Sequence, residues 1–211
     1  MIAAKRPFLV GLTGGIGSGK SFAAELFRRH GAAIVDTDVI ARALTGPGGA
    51  AMPAIRTAFG GALIDARGAL DRAAMRQLAF ADAAARKRLE AILHPLIRAE
   101  SAARVAAAQA PYVMLVVPLL VESGAYREQV DRVLVVDCSE QTQVDRVVAR
   151  NGLTPAAVRD IMAAQVSRAQ RLAAADDLID NEGDIDSLSR QVAALDRQYR
   201  RLAEGGAGPV L

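Results

Sequence analysis

The sequence predicts an α/β protein in which helices cover both faces of a parallel sheet of about five strands. Five short apolar segments recur along the chain, at about 8–12, 33–36, 112–117, 132–136 and 177–180. Helical stretches separate these segments, an order typical of three-layer α/β folds. A glycine-rich motif directly after the first segment supports the same fold class.

The first element is a strand that leads into a phosphate loop of the form G-x-x-x-x-G-K-[ST]. The backbone N–H groups of such a loop face a di- or triphosphate, so the sequence predicts an ATP site of the P-loop NTP hydrolase type. In that site Lys20 reaches the β- and γ-phosphates and Ser21 offers a hydroxyl to Mg²⁺. A dinucleotide fingerprint fails, because its third glycine would fall on Lys20 or Phe22. The loop reads Gly14, Gly15, Ile16, Gly17, Ser18, Gly19, Lys20 and Ser21.

Two acids follow the second predicted strand, at Asp36 and Asp38. The carboxyl ends of parallel strands border the ligand crevice of such sheets. Either Asp36 or Thr37 caps the following helix, or Asp36 supports Mg²⁺, and these interpretations stay open. Asp38 lies beyond the cap position, so its carboxylate is a candidate acceptor for a substrate proton.

A long alanine-rich helical stretch at 46–110 separates the second strand from the third, which predicts a helical substrate-binding insertion. Pro95 is expected to kink or end its helix. That geometry would aim His94 at a substrate, although a hydrogen-bonded structural histidine is as plausible. His30, before Gly31, is expected to cap the first helix.

The third strand ends without the acid that ATPases and GTPases often place there, because the next acid is Glu122. This argues against a motor or GTPase and for a small-molecule kinase.

Residues 139–175 predict a helical lid. Ser139 is a candidate N-cap, Asn151-Gly152 a helix stop, and Thr154-Pro155 a second helix start. Four arginines in this stretch could clamp the ATP phosphates and neutralise charge that develops during phosphoryl transfer. The alternative is that they form a solvated basic face. They are Arg146, Arg150, Arg168 and Arg171.

The composition limits the classes of partner that the protein is expected to bind. The 211 residues are 52% hydrophobic and 4% aromatic, with a net charge of +3, which suits one compact chain that binds anionic small molecules. Dispersed basic residues and few aromatics predict no nucleic-acid partner. The longest apolar run, at 112–121, is too short for a membrane span. With Cys138 as the only cysteine, we expect a cytoplasmic protein, either a monomer or a weak homo-oligomer.

Several segments, in this order, resemble the dephospho-coenzyme A (dephospho-CoA) kinase family from about Leu9 to Tyr199. They are 12–21 around the phosphate loop, Asp-Thr-Asp-Val-Ile-Ala-Arg at 36–42, Leu-His-Pro-Leu-Ile at 93–97, Val-Pro-Leu-Leu-Val-Glu at 117–122 and Ala-Asp-Asp-Leu-Ile-Asp-Asn at 175–181.

The resemblance implies a reaction in which ATP phosphorylates the ribose 3′-hydroxyl of dephospho-CoA, giving CoA and ADP, the final step of CoA biosynthesis. It also implies a core at about 1–45, 111–138 and 176–204, with the insertion at 46–110 and the lid at 139–175. The implied roles are Asp38 as general base, Arg42, Arg72, His94 and Glu122 on the acceptor side, Arg146 and Arg150 in the lid, and Asn181 near the adenine.

One position departs from the family pattern. Phe22 follows the loop serine, where the family usually has a hydroxyl residue. The Phe22 N–H can still meet the α-phosphate, but a side-chain contact is lost, which predicts weaker ATP binding.

Two alternatives remain at this stage. A nucleoside monophosphate kinase would share the loop and the lid but phosphorylate a nucleotide phosphate. A non-catalytic ATP-gated regulator would hydrolyse ATP slowly, and the missing acid after the third strand speaks against it.

Overall fold

A computed structural model describes residues 6–124 and 126–205. Its five-stranded parallel sheet confirms the predicted fold class. The strand order is β2-β3-β1-β4-β5, in which β1 pairs with β3 and β4, and β4 also pairs with β5. The strands are β1 Leu9–Thr13, β2 Ala33–Asp36, β3 Val113–Val116, β4 Arg132–Asp137 and β5 Asp177–Asp180.

Ten α-helices and one 3₁₀ turn, Gly61–Leu63, occur among the described residues. They are α1 Lys20–Arg29, α2 Thr37–Leu44, α3 Met52–Phe59, α4 Arg72–Ala81, α5 Ala83–Ala107, α6 Leu120–Ser123, α7 Glu140–Asn151, α8 Pro155–Ala163, α9 Arg168–Ala173 and α10 Ile185–Gly205. None of the described helices is long and apolar enough to cross a membrane.

The chain packs as two compact units. The first, called the sheet unit, takes in the described residues up to Val35 and from Ala106 onward. The second, called the helical unit, is Asp36–Val105. The finer boundaries expected for the insertion and the lid stay predictions.

The central strands of the sheet unit are fully buried. Every residue of β1 and β3 is buried, which is why these strands read as continuous apolar runs rather than as alternating patterns. Parallel pairing brings the carboxyl ends of β1 and β4 to one edge, with Thr13 opposite Val135. The loops after these two strands therefore start side by side.

The helical unit has its own apolar core. Met52, Ile55, Leu70 and Met75 are buried together, and partly buried leucines of α5 pack against them. The helix does not end at Pro95, since α5 runs from Ala83 to Ala107. Ile92, Leu93 and Leu96 on both sides of the proline pack on this core, which offsets the hydrogen bond that proline cannot donate.

Side-chain caps fix where several helices begin. Asp36, Ser139 and Thr154 each accept a hydrogen bond from a backbone N–H of the helix that follows, as predicted from their types. His30 stands at the C-cap of α1. Gly152 ends α7 in a left-handed conformation, with φ of 66°.

Tyr199 of α10 packs this helix against the sheet. Its fully buried ring meets Phe8, Phe27 and Tyr112, with ring centroids 5.5 to 6.3 Å apart. Its hydroxyl donates to Asp177 Oδ2 at 3.0 Å. Burial, followed by the nearby Asp177 charge, raises the pKa of Tyr199, so the hydroxyl stays protonated and keeps donating.

Tyr199→Phe removes the hydroxyl and keeps the ring, so it should isolate the contribution of the hydroxyl to stability. Loss of the bond to a charged acceptor should lower the free energy of unfolding by about 1.5–3 kcal/mol. Tyr199→Ala also removes the ring and should cost about 3–5 kcal/mol or more. Urea denaturation of both variants measures the two costs, and equal losses would contradict the dominant role of the ring.

Candidate functional site

The phosphate loop follows the carboxyl end of the central strand β1 and leads into α1. Gly17 and Gly19 adopt φ angles of 76° and 93°, a region that favours glycine. The first turn of α1 holds Lys20 and no acidic residue, unlike the usual preference at a helix N-terminus. The loop and the helix end therefore present N–H groups and positive charge to an anion.

The loop glycines are also required by close packing. A Cβ atom at Gly14 would lie 2.6 Å from the Val136 carbonyl oxygen, and one at Gly17 would lie 2.6 Å from the Gln143 carbonyl oxygen. A Cβ at Gly19 would collide with the Asn181 side chain. The loop is thus supported from outside by the ends of β4 and β5 and by α7.

Asn181 braces the loop. It is buried, and its Nδ2 donates to the Ser18 carbonyl oxygen at 2.7 Å. Its backbone N–H donates to the Asp137 carbonyl at 2.8 Å, and its own carbonyl accepts from Arg146 Nη2 at 2.9 Å. The expected contact of Asn181 with adenine stays a prediction, whereas its place against the loop is a feature of the structure.

Helices α7 and α8 pack against Ile16, in the middle of the loop. The Ile16 side chain packs against the apolar cluster of Val144, Val147 and Val158. The Ile16 N–H donates to Gln165 Oε1 at 3.2 Å. The segment from α7 to Gln165 therefore contacts the phosphate loop through both apolar and polar groups.

Gln143 lies beside the same loop. It is 2% exposed and donates from Nε2 to the Cys138 carbonyl at 3.1 Å. Its Oε1 is 2.5 Å from the position of a Cβ on Gly15. Neither Gln143 nor Gln165 is predicted by the sequence, because uncharged glutamines carry no motif or charge pattern.

The four lid arginines have different surroundings. Arg168 is ion-paired with buried Asp137, at 2.9 Å from Nε and 2.6 Å from Nη2, and this hydrogen bonding raises the pKa of Arg168. Arg171 is buried and donates to the Val166 carbonyl at 3.0 Å. Arg150 is exposed on α7, and its Nε donates to the Asn151 side chain.

Arg146 differs from the other three. Its Nη1 is buried, and no hydrogen-bond partner for it occurs among the described residues. Ser18 Oγ has the same property in the loop itself. Because buried polar atoms are normally paired, each of these two atoms has capacity for one further polar partner.

Glu122 also has an unpaired oxygen. Its Oε1 accepts from the Val166 N–H at 3.2 Å, whereas its buried Oε2 has no partner within the described part of the chain. The carboxylate can therefore accept one further donor.

In the helical unit, three predicted residues gather around α2. Asp38 is exposed in the first turn, and Arg42 follows one turn later. Arg72 Nη2 donates to Thr45 Oγ1 at 2.7 Å and lies 3.4 Å from the Arg42 carbonyl. His94 is exposed on α5.

Asp36 acts as the N-cap of α2. Its Oδ1 accepts hydrogen bonds from the N–H groups of Asp38 and Val39.

Glu182, which no sequence pattern predicted, binds the N-terminal end of α7. It accepts from the Ser139 N–H at 2.6 Å and from the Thr142 hydroxyl. These hydrogen bonds, with that of Ser139 the largest, hold the pKa of Glu182 below its usual value. The ionised Glu182 carboxylate therefore stabilises the folded state fully at a pH above the ordinary carboxyl pKa. This stabilisation is lost as the pH falls through the lowered pKa of the folded state.

Comparison with known proteins agrees with this site. A sequence profile of the family described as dephospho-CoA kinase matches residues 8–187. Dephospho-CoA kinase of Dechloromonas aromatica is 59% identical over 196 residues, which cover 93% of this chain and 95% of that protein. The Aromatoleum aromaticum enzyme is also 59% identical, covering 91% and 94%.

Solved structures support the fold. The crystal structure of TT1252 from Thermus thermophilus has a TM-score of 0.80 at 32% identity and covers 92% of this chain and 98% of its own. Dephospho-CoA kinase from Campylobacter jejuni has a TM-score of 0.68 at 23% identity, with coverage of 94% and 98%, and supports the fold.

Gly17→Ala should disturb the loop far more than a glycine change elsewhere. The new Cβ meets both an unfavourable φ and the α7 backbone, and overpacking adds about 1–3 kcal/mol, enough to weaken ATP binding roughly tenfold. Gly68→Ala is the matched control, because its φ is 81° and no atom of the described residues lies within 4 Å of its Cβ position. Calorimetric titration with ATP compares them, and equal affinities would contradict the packing argument.

Proposed function

The chain belongs to the dephospho-CoA kinase family, and we infer that it transfers the γ-phosphoryl group of ATP to the ribose 3′-hydroxyl of dephospho-CoA, giving CoA and ADP. The observation that carries this inference is the phosphate loop, with the unpaired buried nitrogen of Arg146 beside the elements that brace it. Catalysis of this class depends mainly on positioning and on charge neutralisation.

The residues proposed for the donor side belong to the loop and the lid. The backbone from Gly15 to Lys20 would hold phosphate oxygens, and Lys20 would place its charge on the β- and γ-phosphates. Arg146 Nη1 and Ser18 Oγ supply two further donors that are already buried. Arg150, exposed on α7, would join Arg146 over the γ-phosphate and help to exclude water.

Mg²⁺ would be held by Ser21 and Asp36, and when bound it supplies charge neutralisation on the phosphates. Ser21 presents an exposed hydroxyl in the first turn of α1. Asp36 uses Oδ1 for its cap, but a carboxylate has about four acceptor sites, so a metal contact is compatible with capping. Among the described residues no three His, Cys, Asp or Glu side chains form a metal site.

The acceptor side is proposed from family membership and exposure. Asp38 accepts the proton of the 3′-hydroxyl, because its side chain is exposed at the start of α2 while Asp36 does the capping. Glu122 Oε2 would accept a hydrogen bond from the acceptor. Arg42 and Arg72 are the cations proposed to bind the anionic acceptor, and His94 would add a hydrogen bond.

We also propose that the protein acts in the cytoplasm as a monomer or a weak homo-oligomer, with small-molecule partners only. Sedimentation velocity across a range of protein concentrations tests the oligomeric part.

A panel of acceptors tests the function. ADP release from Mg-ATP should require dephospho-CoA, whereas nucleoside monophosphates should give no turnover above background. Preference for a monophosphate would reject the proposed acceptor and keep only the donor site.

Asp38→Asn should lower kcat by roughly 10²–10⁴, the range for loss of a general base. The matched control is Asp186→Asn, which also removes an acid from the first turn of a helix, α10. Steady-state kinetics with saturating substrates measures both variants. A loss below threefold in Asp38→Asn would exclude Asp38 from proton transfer.

Phe22→Thr should lower the KM for ATP about twofold to tenfold, because a hydroxyl is added at the α-phosphate end of the loop. Phe22 is 40% exposed, so its loss costs little packing. Leu202→Thr, which replaces another partly exposed apolar residue far along α10, is the control. An unchanged KM would show that this hydroxyl does not contribute.

A further inference from the structure

Residues 164–167 between α8 and α9, here called the lid linker, are tied to three parts of the sheet unit. Gln165 Oε1 accepts from the Ile16 N–H at 3.2 Å. The Val166 N–H donates to Glu122 Oε1 at 3.2 Å, and the Val166 carbonyl accepts from Arg171 Nη2 at 3.0 Å. The linker therefore contacts both the phosphate loop and the carboxylate proposed for the acceptor.

The bond to Ile16 engages a backbone donor of the phosphate loop. Ile16 lies within the G-x-x-x-x-G-K-S loop, whose N–H groups are the phosphate-binding donors. In this structure the acceptor at that N–H is a neutral amide oxygen. A phosphate oxygen is charged, and charge-assisted hydrogen bonds are roughly twice as strong as neutral ones.

Ile16 itself is not free to move toward a ligand. Its side chain packs in the apolar cluster formed by Val144, Val147 and Val158 of the lid. The exchange of one acceptor for another therefore requires that the Gln165 side chain moves.

We propose that Gln165 is a positioning residue: it holds the Ile16 N–H in place as a neutral substitute for a phosphate oxygen and gives it up when ATP binds. This proposal rests on the proposed function, since it assumes ATP at the loop.

Two variants of similar size should change nucleotide affinity in opposite directions. Gln165→Met removes the competing acceptor and should tighten binding of a non-hydrolysable ATP analogue about twofold to tenfold, the equivalent of one net hydrogen bond. Gln165→Glu keeps an acceptor but places a negative charge where a phosphate oxygen binds, and should weaken binding roughly tenfold or more. A merely structural role would weaken binding in both variants.

Calorimetric titration measures these affinities without the acceptor substrate. Gln141→Met is the matched control, because Gln141 is exposed on α7 and its Nε2 donates to Asp145 Oδ1 at 2.8 Å. Weaker or unchanged binding in Gln165→Met would overturn the proposal.

Amide exchange gives a second readout that needs no variant. In the nucleotide-free wild type the Ile16 amide should be protected from exchange, and in Gln165→Met it should exchange faster. An unprotected Ile16 amide in the wild type would also overturn the proposal. Failure of the proposed function is distinct, since it would appear as wild-type ATP binding without turnover of dephospho-CoA.

Discussion

The architecture depends on one constraint: the phosphate loop must turn its N–H groups toward a ligand while its other side packs against neighbouring backbone. Glycine makes both possible. At Gly14 and Gly17 a Cβ would lie 2.6 Å from carbonyl oxygens of Val136 and Gln143. Parallel pairing of β1 with β4 brings these groups together, so the sheet order is itself a condition for the loop. Any side chain there would push α7 and the strand ends away.

Charge near the loop follows from how the acids are paired. Asp137 at the end of β4 is buried and is neutralised by Arg168, while Glu182 is occupied by the N-terminus of α7. These pairings remove negative charge from the surroundings of an anion site. Arg146 keeps a buried nitrogen that is unpaired within the described residues. The balance of charge therefore favours phosphate at the point where the N–H groups converge.

Much of this structure could be predicted from local sequence. The five strands, the loop and the caps at Asp36, Ser139 and Thr154 follow from apolar runs and from residue types with local chemistry. The contacts of Gln165 and the pairing of Arg168 with Asp137 could not be predicted, because they join residues 149 and 31 positions apart and depend on tertiary packing. The continuous helix through Pro95 has the same cause, since the core of the helical unit outweighs a local preference.

We propose that the phosphate loop, packed against α7 and α8, directs phosphoryl transfer to the acceptor rather than to water. The most direct measurement compares, in one preparation, ADP formed from Mg-ATP alone with ADP and CoA formed when dephospho-CoA is present. The account predicts very slow hydrolysis without acceptor and one CoA per ADP with it. Hydrolysis as fast as the reaction with acceptor, or ADP in excess of CoA, would contradict the account.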